Sequence, residues 1–220
     1  MMVKRGYALA LVTLIFLLGY MHFAYAANQF ARPDADNAAG LWTVTPNLWA
    51  KIDEVVASDA DLITSSGNPA ADTYSSILSD VTDPVVSTGH IMRVRYKQNT
   101  ASLSTTDLTF RLKEGSTLIH EEVFFAISTT FTTSTYTLTA AEANSITNYN
   151  NLFFEFQADS FVEPAEPTVA VVVSWAELQV PDPNPKFYFN LTNASSPFIN
   201  QYVKFNINWT DTIGLSLNFF

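Results

Sequence analysis

The sequence predicts an all-β protein: an antiparallel β-sandwich of jelly-roll type with one short helix, behind an N-terminal signal or anchor helix. Three observations carry this. Apolar and polar residues alternate in short runs, separated by turn residues at the spacing of about 8–12 positions that sandwiches use. Charged residues are only 15% of the chain and aromatics are 14%. With abundant Thr and Val, that composition suits pleated, half-buried surfaces better than helices. Helix-start chemistry is clearest at Thr139-Ala140-Ala141-Glu142, and the strand–helix alternation of a parallel sheet is missing.

The elements follow in order. Lys4 and Arg5 precede an apolar run, and Ala24-Tyr25-Ala26 fits a small-x-small cleavage box, so residues 1–26 read as a signal peptide. The 18 residues from Gly6 to Phe23 could also just span a bilayer as an uncleaved anchor. Residues 27–40 are polar, Ala-rich and aperiodic, and read as a loose lead-in to a sandwich over 41–181. Leu41–Val44 is a short strand. Asn47–Ala57 fits either a helical turn or a buried loop and strand. Asp61–Thr64 and Asp72–Leu78 are further strands.

Alternation is clearest in the middle of the chain. Met92, Val94 and Tyr96 face inward, with Ile91, Arg93, Arg95 and Lys97 outward. Leu108, Phe110 and Leu112 face inward, with Thr109, Arg111 and Lys113 outward. Glu114-Gly115-Ser116 is a tight hairpin connection to a strand over Leu118–Ile127. A Thr-rich stretch follows, then a capped helix over Ala140–Ile146 that crosses an end of the sandwich. Leu152–Gln157 is a strand with Leu152, Phe154 and Phe156 inward. Thr168–Val180 closes the domain. Val169, Val171, Val173 and Trp175 alternate with Ala170, Val172, Ser174, Ala176 and Leu178, so both faces are apolar or small and both are expected to be covered. Pro181, Pro183 and Pro185 open a linker over 182–186. Residues 187–220 resume a strand pattern but hold too little core for a domain, and read as an incomplete immunoglobulin-like module.

Composition narrows the function classes. The chain has no cysteine, so an exported domain must hold itself together without disulfides, and a thiolate metal site is excluded. A net charge of −10 argues against a nucleic-acid partner. The sequence has no GxSxG elbow and no Gly-rich phosphate loop. His90 and His120 lack metal-pair spacing. No cofactor is expected. The one ion considered is calcium, at Asp53, Glu54, Asp59 and Asp61, and their spacing does not match a calcium loop.

The candidate ligand patch is basic: Arg93, Arg95, Lys97, Arg111 and Lys113, placed by alternation on one face of two neighbouring strands. An acidic glycan or a partner protein would suit it. The competing expectation is a solvated face in which Glu155, Glu121 or Glu122 pairs with these cations across the sheet. Trp42 and Trp49 are candidate sugar-stacking platforms, whereas Trp175 reads as core. Asn190, Asn193 and Asn208 each begin a glycosylation sequon.

Two resemblances add to this reading. Three runs occur in order: His90–Tyr96, Leu138–Leu152 and Ser174–Pro181. Together they make residues 61–181 resemble an uncharacterised β-sandwich domain of phage and prokaryotic surface proteins, a likeness that implies no activity. Val203–Ser216, through Asn208-Trp209-Thr210-Asp211 and Gly214-Leu215-Ser216, is similar to the opening of immunoglobulin-like repeats in archaeal surface proteins. The expectation is a non-catalytic, secreted or cell-surface module acting as a structural or adhesive unit. Its expected partners are cell-surface glycans or other surface modules, and it would meet a membrane only through residues 1–26. The alternatives are a carbohydrate-binding module, a virion protein and a secreted glycan-active enzyme. In a secreting host the mature chain should begin at Ala27. Mass spectrometry finding Met1 on membrane-bound protein would make the leader an anchor.

Overall fold

The computed structural model describes residues 28–43 and 47–183, and the backbone of 206–209 and 215–218. The proposed leader over 1–26, most of the 182–186 linker, Val44, Asn190 and Asn193 lie outside the described residues. Of the proposed module over 187–220, a backbone hairpin is described, β11 (Asn206–Trp209) against β12 (Leu215–Asn218). The sandwich lies within the compact unit Ala27–Pro183.

Two antiparallel sheets pack face to face. The first has the order β1-β10-β5-β8: β1 (Asn28–Ala31), β10 (Val171–Pro181), β5 (Ile91–Gln98) and β8 (Thr132–Thr137), with β3 (Ile63–Thr64) also pairing β10. The second has the order β2-β4-β9-β6-β7: β2 (Pro33–Ala38), β4 (Asp72–Leu78), β9 (Leu152–Phe161), β6 (Thr105–Glu114) and β7 (Thr117–Phe124). The expected alternation appears in β5, β6 and β9, whose inward residues are buried. Tyr74, Phe156 and Phe110 are direct cross-strand partners on β4, β9 and β6. Their rings stack in a row with centroids 5.8 and 5.2 Å apart, within the range where aromatic pairs attract.

Residues 27–40 are not a loose lead-in. Asn28–Ala31 and Pro33–Ala38 are edge strands, one in each sheet, and the chain changes sheets at Arg32. Their small polar residues hid them because an edge strand is mostly exposed, so it carries little hydrophobic period. Pro33 sits at the first position of β2, where a strand tolerates it. Leu41–Thr43 is a turn rather than a strand. Gly40 has φ +57, and a Cβ there would lie 1.8 Å from the Thr73 carbonyl oxygen, so only glycine fits. This turn sends Trp42 inward, fully buried, with its indole against Tyr74 and Phe156. Leu48–Lys51 is a 3₁₀ turn. Asp36 of β2 accepts from the Leu48 and Trp49 amides at 3.0 and 2.9 Å, which satisfies its first free N–H groups.

The helix forms as the capping box predicts. Among the described residues α1 (Ala140–Ser145) is the one α-helix, and it crosses from β8 to β9. The Glu142 amide donates to the Thr139 hydroxyl, and the Thr139 amide donates back to the Glu142 carboxylate.

Strand β10 is buried on both faces, as expected, but its phase differs. A bulge falls between Val173 and Trp175. Val171 and Val173 face the core, and beyond the bulge Ala176, Leu178 and Val180 do. Strict alternation therefore misassigns the second half of the strand, because one extra residue flips every later side chain. Trp175 is buried on the outer face instead, under the segment after the 3₁₀ turn. Its indole Nε1 donates to the Glu54 carbonyl at 2.7 Å, the Ser174 hydroxyl donates to Asp59, and the Ala176 amide donates to the Ile52 carbonyl at 3.1 Å. Trp175→Ala should cost roughly 3 kcal/mol and release amide protection in residues 52–59 while β5 and β9 stay protected. Hydrogen exchange by mass spectrometry checks this; equal loss across all three regions would place Trp175 in the inter-sheet core.

Candidate functional site

The basic patch does not exist as one surface. β5 belongs to the first sheet and β6 to the second, so their outward residues lie on opposite faces of the sandwich. Alternation says which residues point out, but not which sheet a strand joins. On the first sheet, Arg93 bonds Glu177 at 3.0 Å and Gln179 at 2.7 Å. Glu177 is buried and also accepts from Arg32, so one carboxylate answers two guanidinium groups. Arg95 meets Asp59 with two parallel bonds of 2.7 and 2.6 Å. That guanidinium holds the Asp59 carboxyl below its usual value, against a smaller upward push from desolvation. Lys97 and Arg95 lie over the Phe131 ring. On the second sheet, Arg111 bonds Glu121, Glu155 and Gln157, and Lys113 bonds Glu155. The expected pairing with Glu121 and Glu155 thus holds for Arg111 and Lys113, whereas Arg93 and Arg95 pair with Glu177 and Asp59 instead.

Other candidates are also dispersed. Trp42 is in the core and cannot present a ring to a sugar, because its turn folds inward at Gly40. Trp49 is partly exposed on the 3₁₀ turn. Of the acidic group weighed for calcium, Asp59 is held by Arg95 and Asp61 by Lys51 at 2.9 Å. Burial pushes the Glu54 carboxyl up. Asn208 lies on β11.

The structure brings together residues that the sequence kept apart. On the edge strand β7, His120, Glu122 and Phe124 are opposite Leu112, Phe110 and Leu108, so they face inward. On the edge strand β8, Tyr136 and Ser134 are opposite Met92 and Val94, and also face inward. The sandwich is thus polar along this open side. The His120 ring stacks on Tyr136 with centroids 3.6 Å apart and planes 11° apart. Its Nδ1 lies 2.6 Å from Glu142 and its Nε2 lies 3.1 Å from Glu122. The capping-box glutamate thus has a second role. Burial alone pushes the Glu142 carboxyl up, but bonds from the Thr139 amide and hydroxyl and from His120 outweigh it and hold the group below its ordinary value. Beside this cluster lies a half-open pocket of about 190 Å³, lined by Met92, Val94, Phe110 and Phe124 and by Glu122, Ser134, Thr135 and Tyr136. The signal for it was present in β7, where a histidine and a glutamate occupy alternate positions in phase with Phe124.

The second histidine is elsewhere. His90 is fully buried at the end of the sandwich that carries α1, with Nε2 2.7 Å from the Tyr149 hydroxyl. Burial pushes the His90 ring down and, with Asp83 and Glu114 adding to it, pushes Tyr149 up to about 12.

No protein-family model matches the chain, and no curated protein matches it. What is established by its structure is a two-sheet antiparallel β-sandwich.

The separation of the basic residues has a measurable consequence. Arg95→Gln and Arg111→Gln should each cost up to about 1 kcal/mol. As they sit on opposite faces, the double variant should lose their sum within about 0.5 kcal/mol. Urea unfolding of the three variants checks this; a coupling above about 1 kcal/mol would mean the two share a site.

Proposed function

We propose that the sandwich is a non-catalytic module of jelly-roll type, displayed on a secreted or cell-surface chain as an adhesive or structural unit. In a jelly roll whose eight strands are numbered in chain order, the first, eighth, third and sixth form one sheet. The second, seventh, fourth and fifth form the other. Setting aside the edge strands β2 and β3, the observed orders β1-β10-β5-β8 and β4-β9-β6-β7 support that topology. The leader pattern supports export.

One observation carries the display reading. Asn28 and Pro181 are partners in the β1–β10 ladder, so the chain enters and leaves the sandwich side by side, at one end. The other end is left to the loops 65–71, 99–104, 125–131 and 162–170. Backbone bonds tie these together: Asn68 N–H to the Val169 carbonyl, Asn99 N–H to the Ala170 carbonyl and Gln98 N–H to the Ser128 carbonyl. This braced end presents Leu103, Phe125, Phe161 and Val162 to solvent. A pure spacer in a linear array would have its connections at opposite ends. The carbohydrate-binding alternative has less support, since Trp42 is in the core.

Binding of the labelled secreted chain to cells and to a glycan array tests the reading. We expect adhesion that falls at least fivefold in the Phe125→Ser/Phe161→Ser variant and is unchanged in Arg95→Gln/Arg111→Gln. Adhesion lost in the arginine variant and kept in the phenylalanine variant would overturn it.

A further inference from the structure

We infer that the inter-sheet cavity at the β7–β8 edge is a binding site for an organic ammonium, a primary amine carried on one aromatic ring or a short apolar chain. The assignment goes beyond the display reading and does not depend on it.

Size and lining define the body of the ligand. The cavity of about 190 Å³ exceeds the about 150 Å³ that admits benzene in an engineered core. Its floor of Met92, Val94 and Phe110 is nearly fully buried and offers no hydrogen-bonding group. A sugar would leave its hydroxyls unpaired against that floor, which is costly. A single ring or a chain of a few carbons would not.

The rim defines the head. Glu122 faces inward beside the aromatic side chains Phe124 and Tyr136. A carboxylate beside aromatic rings is the combination that attracts an ammonium, by charge and by the ring quadrupole. Two further carboxylates stand at this edge, Glu142 against His120 and, on the outer face of β7, Glu121 paired with Arg111. No lysine or arginine lines the cavity, so an anion finds no partner there. The described hydrogen bond of Glu122 is the 3.1 Å contact with His120 Nε2, which an ammonium at the rim would supplement or replace.

A blander account exists for part of this. Inward charges on an edge strand keep other strands from pairing with it. That explains His120 and Glu122, but not a ring-sized pocket beside them that reaches Met92, Val94 and Phe110.

The test uses the full chain and three probes of one shape: benzylamine, benzyl alcohol and benzoate. Binding is read by calorimetry and by methyl NMR shifts at Met92 and Val94. Benzylamine should bind saturably and at least tenfold more tightly than the other two. Glu122→Gln should weaken benzylamine at least tenfold, whereas Glu121→Gln on the outer face should leave it unchanged. Val94→Phe should fill the cavity and abolish binding. Circular dichroism reports whether that variant is folded, and Glu122→Gln decides the matter alone if it is not. Equal binding of the three probes, no saturable benzylamine binding, or full binding by Glu122→Gln would each overturn the assignment.

Discussion

A strand that is hydrophobic on both faces must be covered twice, and β10 organises the molecule around that need. One face packs on the second sheet through Val171, Val173, Ala176, Leu178 and Val180. The other would expose Val172 and Trp175 to water. The segment after the 3₁₀ turn closes over it, held by the Ile52 and Glu54 carbonyls and by Asp59. The bulge at Ser174 makes both possible. It keeps small and branched residues on the core side while turning Trp175 and Glu177 outward, where each has a partner. Burying one strand thus determines the path of residues 48–62 and the pairing of Arg32 and Arg93 with Glu177.

The legible part of this fold is the part with a period. β5, β6 and β9 alternate, so their presence and facing could be read directly, although β9 runs on to Phe161 beyond the expected Gln157; β4 alternates only weakly and was legible as a strand without its facing. The capping box of α1 could be read because two residues, Thr139 and Glu142, satisfy each other locally. β1 and β2 could not, since edge strands bury little and their small polar residues carry no period. The second half of β10 was misassigned for the opposite reason. There the period is strong, but a bulge breaks its phase, and Ser174 looks like any other alternating residue.

The functional surface was less legible, because it depends on which strands become neighbours. Consecutive strands in a sandwich of this kind often lie in different sheets. β5 and β6 do, and the five cations divide between two faces, where carboxylates pair with Arg93, Arg95, Arg111 and Lys113, and Lys97 lies over Phe131. The edge cluster shows the converse. His120, Glu122, Ser134, Tyr136 and Glu142 come from β7, β8 and α1, which meet only because the chain passes from β7 to β8 to α1 along one open side. Their inward phase relative to Phe110 and Met92 becomes visible once the register is known.

The pairing of the first and last strands also bears on how the sandwich would respond to force along its chain. Force applied through Asn28 and Pro181 pulls on adjacent ends of one antiparallel ladder. Its backbone bonds would then open one after another, rather than in shear together. The ladder is four residues long on the β1 side, and Arg32 follows directly, bonded to Glu177. Unzipping would first meet the bonds between Gln29 and Thr82 and then that ion pair, its carboxylate buried and shared with Arg93. A sandwich attached in this way is suited to standing beside a tensioned chain rather than within it. The same topology that closes the sheet around β10 therefore brings the attachment points together and leaves the braced loops at the far end free to make contacts.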